Sequence, residues 1–457
     1  MNKLLLLLLF LQIQQHLVAQ DSLSQEIRTY IDMQMHPTMH VPYFFFGEGF
    51  TFFDENKPPH LSYRHQFKNV NYANYWRKNA GARIIVVGAL TTEWVKRPKK
   101  ARKTILKQLS YINDFAQAHS DDFVVAKTPA AIRDYYHNTN KTIIVFSIEG
   151  GKRLINNLED AQFWAAQGVA FVTLMHLVDS EYGSAGIRPG IFTTLINLKG
   201  ALKPQKKRGL KEKGKQAIKW LAQAGIMTDL THMETQTRKD ALAFMKEEGI
   251  PPLSTHDCFK DIRNNPRSIS REDILALYKL QGFMALPISG VEMGLMDPTD
   301  YYKNKEDSLV KAGVLCRGSL DSYQFMYEEV KEYIESNVGV IIGDTSIAFA
   351  DLTEAEKVKY ALGFQSDFNG WLNHSRPKVG KKGCSPIDPT KTYPPIDSQG
   401  LAHPGLLASQ WQVLEEKGVD LAPIKRSAER FVQLWEYFQT NKEHWKTQGA
   451  FPIMERK

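Results

Sequence analysis

Short apolar runs rich in β-branched residues recur along the chain, and longer segments with helical spacing lie between them. The runs are residues 30–35, 83–90 (RIIVVGAL), 142–148 (TIIVFSI), 169–175, 226–230, 252–254, 283–288 and a last run that ends at Gln365. Each run predicts a strand that is buried on both faces. The helical segments include residues 101–118, 156–167, 209–224, 234–248 and 271–280. Strand followed by helix, repeated in this way, predicts parallel βα units.

The predicted strands, about eight in number, follow one another without a composition break long enough to act as a domain linker. This predicts an α/β fold of the (β/α)8 TIM-barrel type, in one domain over residues 20–457. The alternative is a doubly wound open sheet, which usually has a glycine-rich phosphate loop after its first strand, and residues 33–43 contain no glycine. Later helices are predicted at 322–336, 352–362 and about 404–440. Long loops, an aromatic one at about 40–75 and another at 380–403, are expected to cover the C-terminal face of the barrel.

The composition excludes a disordered or fibrous protein, since 43% of the 457 residues are apolar and 24% are charged. The chain starts with one lysine, Lys3, and then an apolar run too short to cross a bilayer core of about 30 Å. Small side chains before Gln20 offer a cleavage position, so residues 1–19 are predicted to be a secretory signal peptide. The mature protein is then expected to be secreted or periplasmic, with no transmembrane segment. The alternative is an uncleaved N-terminal anchor.

The net charge of +8 is modest for a chain of this size, and it neither requires nor excludes an anionic partner. Two basic stretches, residues 96–103 and 203–215, lack the interleaved aromatic residues of a nucleic-acid stacking platform, so we expect no nucleic-acid partner. Solvated helix ends explain both stretches, and contact with an anionic surface stays open. The three cysteines, Cys258, Cys316 and Cys384, allow at most one disulfide.

Polar side chains of the metal-binding type stand where the apolar runs end. They are Gln34, His36, Glu149, His176, His232, His256 and Asp367. The C-terminal ends of barrel strands share one rim, so these side chains are expected to converge there. Two carboxylates buried together need a cation or a proton between them. Histidine nitrogens with carboxylate oxygens suit zinc or a similar divalent ion.

Five motifs carry a resemblance to a known family. They are SIEGG at 147–151, TLMH at 173–176, GIMTDLTH at 225–232, STHD at 254–257 and QSDFNG at 365–370. In their order and spacing they resemble the renal or membrane dipeptidases, zinc-dependent dipeptidases of the amidohydrolase-like barrels, over most of the mature chain. The resemblance implies zinc as the cofactor, a small peptide-like substrate and hydrolysis of a peptide (amide) bond. A homodimer stays open.

By that resemblance, Glu149 bridges two zinc ions, and His232 and His256 complete the ligands of one of them. Asp367 is then a ligand, and the proton acceptor, at the second ion. Two histidines and one carboxylate with an open position are a recognised arrangement for a catalytic zinc. Hydrolysis with a single zinc ion is therefore chemically feasible.

The same resemblance implies that His176 steadies the charged tetrahedral intermediate. It also implies that Arg267, in the motif NPRS, grips the terminal carboxylate of the substrate. The expected chemistry is attack of a metal-activated water on an amide carbonyl, with a carboxylate as proton acceptor. Two alternatives stay open: a catalytically decayed barrel that binds a small ligand or a partner, and an amidohydrolase that acts on a lactam or another amide.

The first strand departs from the pattern of the family, which typically has His-x-Asp there. Asp32 sets the register so that Gln34 falls at the histidine position and His36 at the aspartate position. The neutral amide of Gln34 is a poor metal ligand, which leaves the number of zinc ions, one or two, open. An alternative register puts His36 at the histidine position and Thr38 at the aspartate position.

Overall fold

The structure is a computed structural model of the chain. It describes residues 26–37, 80–90, 97–186, 197–202, 207–288, 298–368, 374–402 and 404–447, together with the single residues Arg77, Glu93 and Pro204. The predicted signal peptide at 1–19 and the aromatic loop at about 40–75 lie outside the described residues. Both stay predictions.

Nine parallel strands form one sheet. They are β1 (Ile31–Met35), β2 (Ile84–Leu90), β3 (Phe123–Val125), β4 (Thr142–Glu149), β5 (Val169–Thr173), β6 (Met227–Asp229), β7 (Leu253–Ser254), β8 (Phe283–Pro287) and β9 (Leu362–Gln365). The order is β2-β1-β9-β8-β7-β6-β5-β4-β3, and a further pairing of β2 with β4 closes eight strands into a barrel. The predicted barrel is confirmed. The sequence reading missed β3, which pairs with the first three residues of β4.

Burial on both faces explains the composition of the strands. Every residue of β2 and β4 is buried, because helices cover the outside of such a barrel and side chains fill its inside. The β-branched residues of these strands suit a pleated surface that is packed on both sides. The strands β6 and β7 have only three and two residues, so the polar residues that follow them begin close to the rim.

Helices surround the barrel. The α-helices are Pro98–Ala118, Pro129–Asn138, Leu158–Ala166, Leu198–Ala201, Glu212–Gln223, Thr235–Glu248, Arg271–Lys279, Asp300–Lys311, Leu320–Ser336, Val338–Ile342, Glu354–Lys357, Pro395–Gln399, Leu407–Glu416, Ala422–Lys425, Ser427–Asn441 and His444–Thr447. The helices predicted at 101–118, 234–248 and 271–280 begin and end within three residues of the observed ones. The helix Pro129–Asn138 was missed, although its start carries a signal: Thr128 accepts a hydrogen bond from the N–H of Ala131, and Pro129 follows it.

The helix predicted at 352–362 is confirmed over residues 354–360. The structure has the short helix Glu354–Lys357 and then the 3-10 helix Val358–Tyr360. Val358 and Tyr360 are both buried. A 3-10 turn often forms the last turn of a helix, and here it leads directly into β9.

One disulfide joins Cys316 to Cys384, which agrees with the limit set by the cysteine count. Cys258 is a buried free thiol. The disulfide ties the start of the helix Leu320–Ser336 to the segment 374–402, part of the long loop predicted at 380–403. In the part of the chain that the structure describes, no helix is long and apolar enough to span a bilayer.

Candidate metal centre

Three side chains from three strand ends meet at the rim of the barrel. Glu149 is the last residue of β4, His232 follows β6 by three residues, and His256 follows β7 by two. His232 Nε2 lies 3.1 Å from Glu149 Oε1, and His256 Nε2 lies 3.5 Å from the same oxygen and 2.9 Å from His232 Nε2. Among the described residues, these three form the one group of histidine, cysteine and carboxylate side chains whose ligand atoms all lie within 4.8 Å of one another.

The separations come within about 0.4 Å of those around a zinc ion. Ligand atoms about 2.0–2.2 Å from a tetrahedral zinc are about 3.3–3.6 Å from one another, and the observed distances run from 2.9 to 3.5 Å. Glu149, His232 and His256 are only 3%, 5% and 2% exposed, so the ion would be largely removed from water. The three residues can therefore hold a divalent ion and leave a fourth position for a substrate or water.

Both histidines are kept neutral, as a metal ligand has to be. Burial, together with the charges of Arg267 and His176, lowers the pKa of His232 to about 3. Burial also lowers the pKa of His256 well below its usual value, with His232 and Arg267 acting in the same direction. At neutral pH each ring therefore has a nitrogen lone pair for an ion.

A threonine fixes the tautomer of His256. Thr255 Oγ1 donates to Asp229 Oδ2 at 2.8 Å and lies 2.9 Å from His256 Nδ1. Because its single hydrogen goes to the carboxylate, the hydroxyl accepts from Nδ1–H, and Nε2 keeps its lone pair on the side of Glu149. Asp229 also accepts from the hydroxyls of Thr173 and Thr231 at 2.7 and 2.8 Å. This buried carboxylate thus ties the ends of β5, β6 and β7 together.

Two of the site residues have a strained backbone. His232 has a φ of 67° and Asp367 a φ of 52°, in the left-handed region that non-glycine residues seldom adopt, at a cost on the order of 1–3 kcal/mol each. Hydrogen bonds hold both segments: the N–H of Gly186 donates to His232 O at 2.7 Å, and the N–H of Asp367 donates to Gln34 O at 3.0 Å. Such strain is typical of functional sites.

His36 lies between the carboxylates of Glu149 and Asp367. Its Nε2 is 3.1 Å from Glu149 Oε2 and 3.2 Å from Asp367 Oδ1, and its Nδ1 donates to Gly88 O at 2.8 Å. Burial alone would lower the pKa of His36, but the bonds to Asp367 and Glu149 outweigh it and raise the pKa to about 10. Gln34 Nε2 lies 3.3 Å from His36 Nε2. Thr38 of the alternative register lies outside the described residues.

His176 and Arg267 flank this centre. His176 Nε2 is 4.0 Å from Glu149 Oε2, and its ring lies edge-on to His232 with 4.5 Å between the ring centroids. Arg267 Nη2 donates to His256 O at 3.1 Å. Both side chains are partly exposed, so a small molecule in the site can contact them.

Hydrogen bonds from a buried arginine hold the loop that carries Arg267. Arg238, fully buried, donates to the carbonyl oxygens of Arg267 and Ser268. On the other side, a Cβ added to Gly186 would lie 2.8 Å from Arg267 Cα, so only glycine allows the two loops to approach this closely. The backbone of Arg267 is therefore held in place while its guanidinium group reaches the rim.

All eight residues that the sequence reading singled out lie in one connected cluster. His36, His176, His232 and His256 contact Glu149, while Asp367 and Gln34 contact His36 and Arg267 contacts the backbone of His256. Asp367 and His36 are not part of the three-residue group that converges on one point. Their metal-binding role therefore stays a prediction.

The sequence reading missed Glu93, which holds the loop that carries His176. Its buried carboxylate accepts hydrogen bonds from the backbone N–H groups of His176, Leu177 and Val178, the first and last at 3.0 Å. Glu93 follows the end of β2 by three residues, so the strand-end rule used for the other residues could have found it.

His374 was also missed. It donates from Nε2 to Ser366 O at 2.7 Å and stacks on Phe368 with 4.1 Å between the ring centroids. These contacts support the segment on either side of Asp367. His374 lies between β9 and the helix Pro395–Gln399, too far beyond the end of the strand for the strand-end rule to mark it.

The fold is a closed parallel barrel of the TIM type, with two histidines and one carboxylate at its C-terminal rim that could hold a metal ion. The family model for membrane dipeptidases, peptidase family M19, matches residues 51–309. The match covers more than half of the chain, and the chain belongs to this family.

Two curated relatives match part of the chain. Dipeptidase verJ of Clonostachys rogersoniana is 22% identical over 180 residues, 39% of this chain and 42% of the relative. An uncharacterised dipeptidase of Schizosaccharomyces pombe is 26% identical over 147 residues, 32% of each chain. The chain therefore spans less than half the length of these relatives.

Solved structures share the fold over nearly their whole length. A dipeptidase of family M19 has a TM-score of 0.56 at 13% identity, with 90% of this chain and 98% of that chain covered. A metallopeptidase of Rhodobacter sphaeroides, liganded with a phosphinate mimic of the dipeptide L-Ala-D-Ala, has 0.55 at 13% identity, with 90% and 99% covered. The probable dipeptidase PvdM of Pseudomonas aeruginosa has 0.55 at 16% identity, with 94% and 99% covered.

We expect Thr255→Val to weaken zinc binding about 10–100-fold, because it removes the hydroxyl that orients the His256 ring. The measurement is a competition titration against a chromophoric chelator. Thr228→Val is the matched control, since Thr228 is a buried threonine on β6 whose hydroxyl makes no hydrogen bond among the described residues. Equal zinc affinity in the two variants would contradict the role of Thr255.

Proposed function

We propose that the protein is a metal-dependent dipeptidase, which hydrolyses the amide bond of dipeptides or of similar small amides with a free carboxylate. The observation that carries the proposal is the convergence of Glu149, His232 and His256 on one point, because three protein ligands leave a tetrahedral zinc ion one position for water or substrate. Membership of the membrane dipeptidase family supports the choice of a peptide bond. Zinc is the ion that this set of ligands favours.

A zinc ion bound here would act as a Lewis acid on the amide carbonyl and on the attacking water. Asp367, held by His36 at 3.2 Å, accepts the proton that water loses as it adds to the carbonyl carbon. His176 donates a hydrogen bond to the carbonyl oxygen as negative charge develops on it. When the C–N bond breaks, Asp367 returns its proton to the amine that leaves.

Arg267 suggests the class of substrate. Its guanidinium group is partly exposed beside His256 and is close enough to lower the pKa of both His232 and His256. A guanidinium pairs with a carboxylate through two parallel hydrogen bonds. In a dipeptide, the residue directly after the scissile bond carries the free C-terminal carboxylate, which Arg267 could bind.

We expect His232→Ala to reduce the turnover of a panel of dipeptides to background, because it removes one of three metal ligands. The measurement is release of free amino acid by the purified, zinc-loaded protein. His137→Ala, which changes an exposed histidine on the helix Pro129–Asn138, is the control and is expected to keep full turnover.

The same assay tests the rest of the proposal. A dipeptide with an amidated C-terminus is expected to be a poor substrate, since Arg267 would find no carboxylate. Turnover that survives in His232→Ala would contradict the metal assignment. A zinc-loaded wild-type protein that turns over no amide at all would favour a barrel that only binds its ligand.

We expect Glu93→Gln to lower kcat about tenfold or more while KM stays within about twofold, because His176 loses its fixed position while Arg267 is untouched. The amide oxygen of the variant still accepts hydrogen bonds, but its NH2 group faces a backbone N–H. Steady-state kinetics on one dipeptide give the comparison.

Glu306→Gln is the matched control for this substitution. Glu306 is similarly buried, and its carboxylate accepts from Arg317 Nε at 2.7 Å instead of contacting the site. The control is expected to keep both kinetic constants. A rise in KM with unchanged kcat in Glu93→Gln would contradict the positioning role.

We also propose that the protein is exported from the cytoplasm. The apolar start of the chain supports a cleaved signal peptide, and the disulfide between Cys316 and Cys384 suits an oxidising compartment. We expect N-terminal sequencing of the protein expressed from its full reading frame to start at Gln20. A mature protein that still begins with Met1 would contradict this.

A further inference from the structure

The imidazole of His36 fills the space between the two acidic side chains of the site. Glu149 and Asp367 are buried carboxylates, and His36 Nε2 is within 3.2 Å of an oxygen from each. Carboxylate and carbonyl oxygens only accept hydrogen bonds. His36 therefore makes these contacts as a donor, with Gly88 O at the other side of the ring.

The ring has little freedom to move out of this position. A Cβ added to Gly88 would lie 2.8 Å from His36 Cε1 and 3.1 Å from Gln34 Cδ, so both side chains rest directly on the backbone of β2. The hydrogen bond from Nδ1 to Gly88 O fixes the rotation of the ring and directs Nε2 at the two carboxylates.

The surrounding groups offer few ligands to a second ion. Gln34 supplies only a neutral amide, and the imidazole of His36 already contacts both carboxylates. Among the described residues, only Glu149, His232 and His256 converge closely enough to hold an ion. Asp367 is paired with an imidazole instead.

We infer that this chain binds a single metal ion, at Glu149, His232 and His256, and that the His36 side chain takes the place between Glu149 and Asp367 that a second ion would need. The inference rests on the proposed function, because it assumes the ion at those three residues. It assigns Asp367 to the proton transfer alone, with its orientation set by His36 and not by a metal.

The test is the number of zinc atoms per chain. The full-length protein is loaded with excess zinc, separated from loose metal by gel filtration and measured by elemental analysis. We expect one zinc per wild-type chain. We expect close to two in the double variant Gln34→His/His36→Asp, which moves the imidazole to position 34 and places a carboxylate at position 36. Gln34→Asn/His36→Gln, which adds no charged ligand, is the control and is expected to keep one.

The outcomes separate the two proposals. Two zinc atoms in the wild-type chain would overturn the inference and leave the proposed function standing. No bound zinc would overturn the proposed function and the inference with it. A properly folded double variant that still holds one zinc would overturn the part assigned to His36.

A second measurement covers the case in which the double variant does not fold. Crystals of the zinc-loaded wild-type protein are measured at the zinc absorption edge. One anomalous peak, enclosed by Glu149, His232 and His256, is expected. A second peak beside Asp367 would overturn the inference.

Discussion

The buried carboxylate of Glu149 is the group on which the rest of the site depends. Four histidine rings from four separate parts of the chain surround it: His36, His176, His232 and His256. A carboxylate almost removed from water is costly unless donors or cations replace its hydration. Here burial would raise the pKa of Glu149, but His176, His232 and His36 outweigh it and hold the pKa well below its usual value. The barrel has to close to bring these rings to Glu149, and the buried carboxylate needs them to stay ionised.

The barrel fixes Glu149 through backbone pairing and not through side-chain packing alone. In the ladders of β4, Glu149 lies opposite Leu90 of β2 on one side and opposite Thr173 of β5 on the other. The two histidines that follow β6 and β7 are held differently, because those strands are short. Hydrogen bonds to the buried carboxylate of Asp229 hold the chain beyond them. One ligand thus comes from a strand, and two come from loops that a second acid holds in place. This is why we expect the Thr255 hydroxyl to influence metal affinity although it is not itself a ligand.

Much of the fold and of the site could be predicted from the sequence because one physical rule governs both. A strand buried on both faces appears in the sequence as an apolar run, and the polar residues at its C-terminal end lie at the rim, which led to Glu149, His232 and His256. The rule says nothing about which acceptor a side chain finds. Whether His36 would ligate an ion or bridge two carboxylates depends on distances of a few tenths of an ångström. The hydrogen bonds that Glu93 accepts come from a loop that follows a different strand, so they cannot be inferred from the sequence around Glu93. The helix expected at 352–362 is shorter than predicted for a related reason, since the chain enters β9 at Leu362.

The count of ions at such a centre depends on volume as well as on ligand charge. Carbon atoms in contact are normally about 3.5–4.0 Å apart, and a methyl group on Gly88 would come within 2.8 Å of the His36 ring. The glycine therefore makes room for a ring that is larger than a carboxylate, while its carbonyl oxygen holds that ring by Nδ1. Gly88, His36 and Gln34 pack against one another, so a larger residue at position 88 would collide with both side chains. A lone exchange of His36 for aspartate would leave the ring's space unfilled and both neighbouring acids without their donor, so the residues at 34 and 36 have to change together for an ion to replace the imidazole.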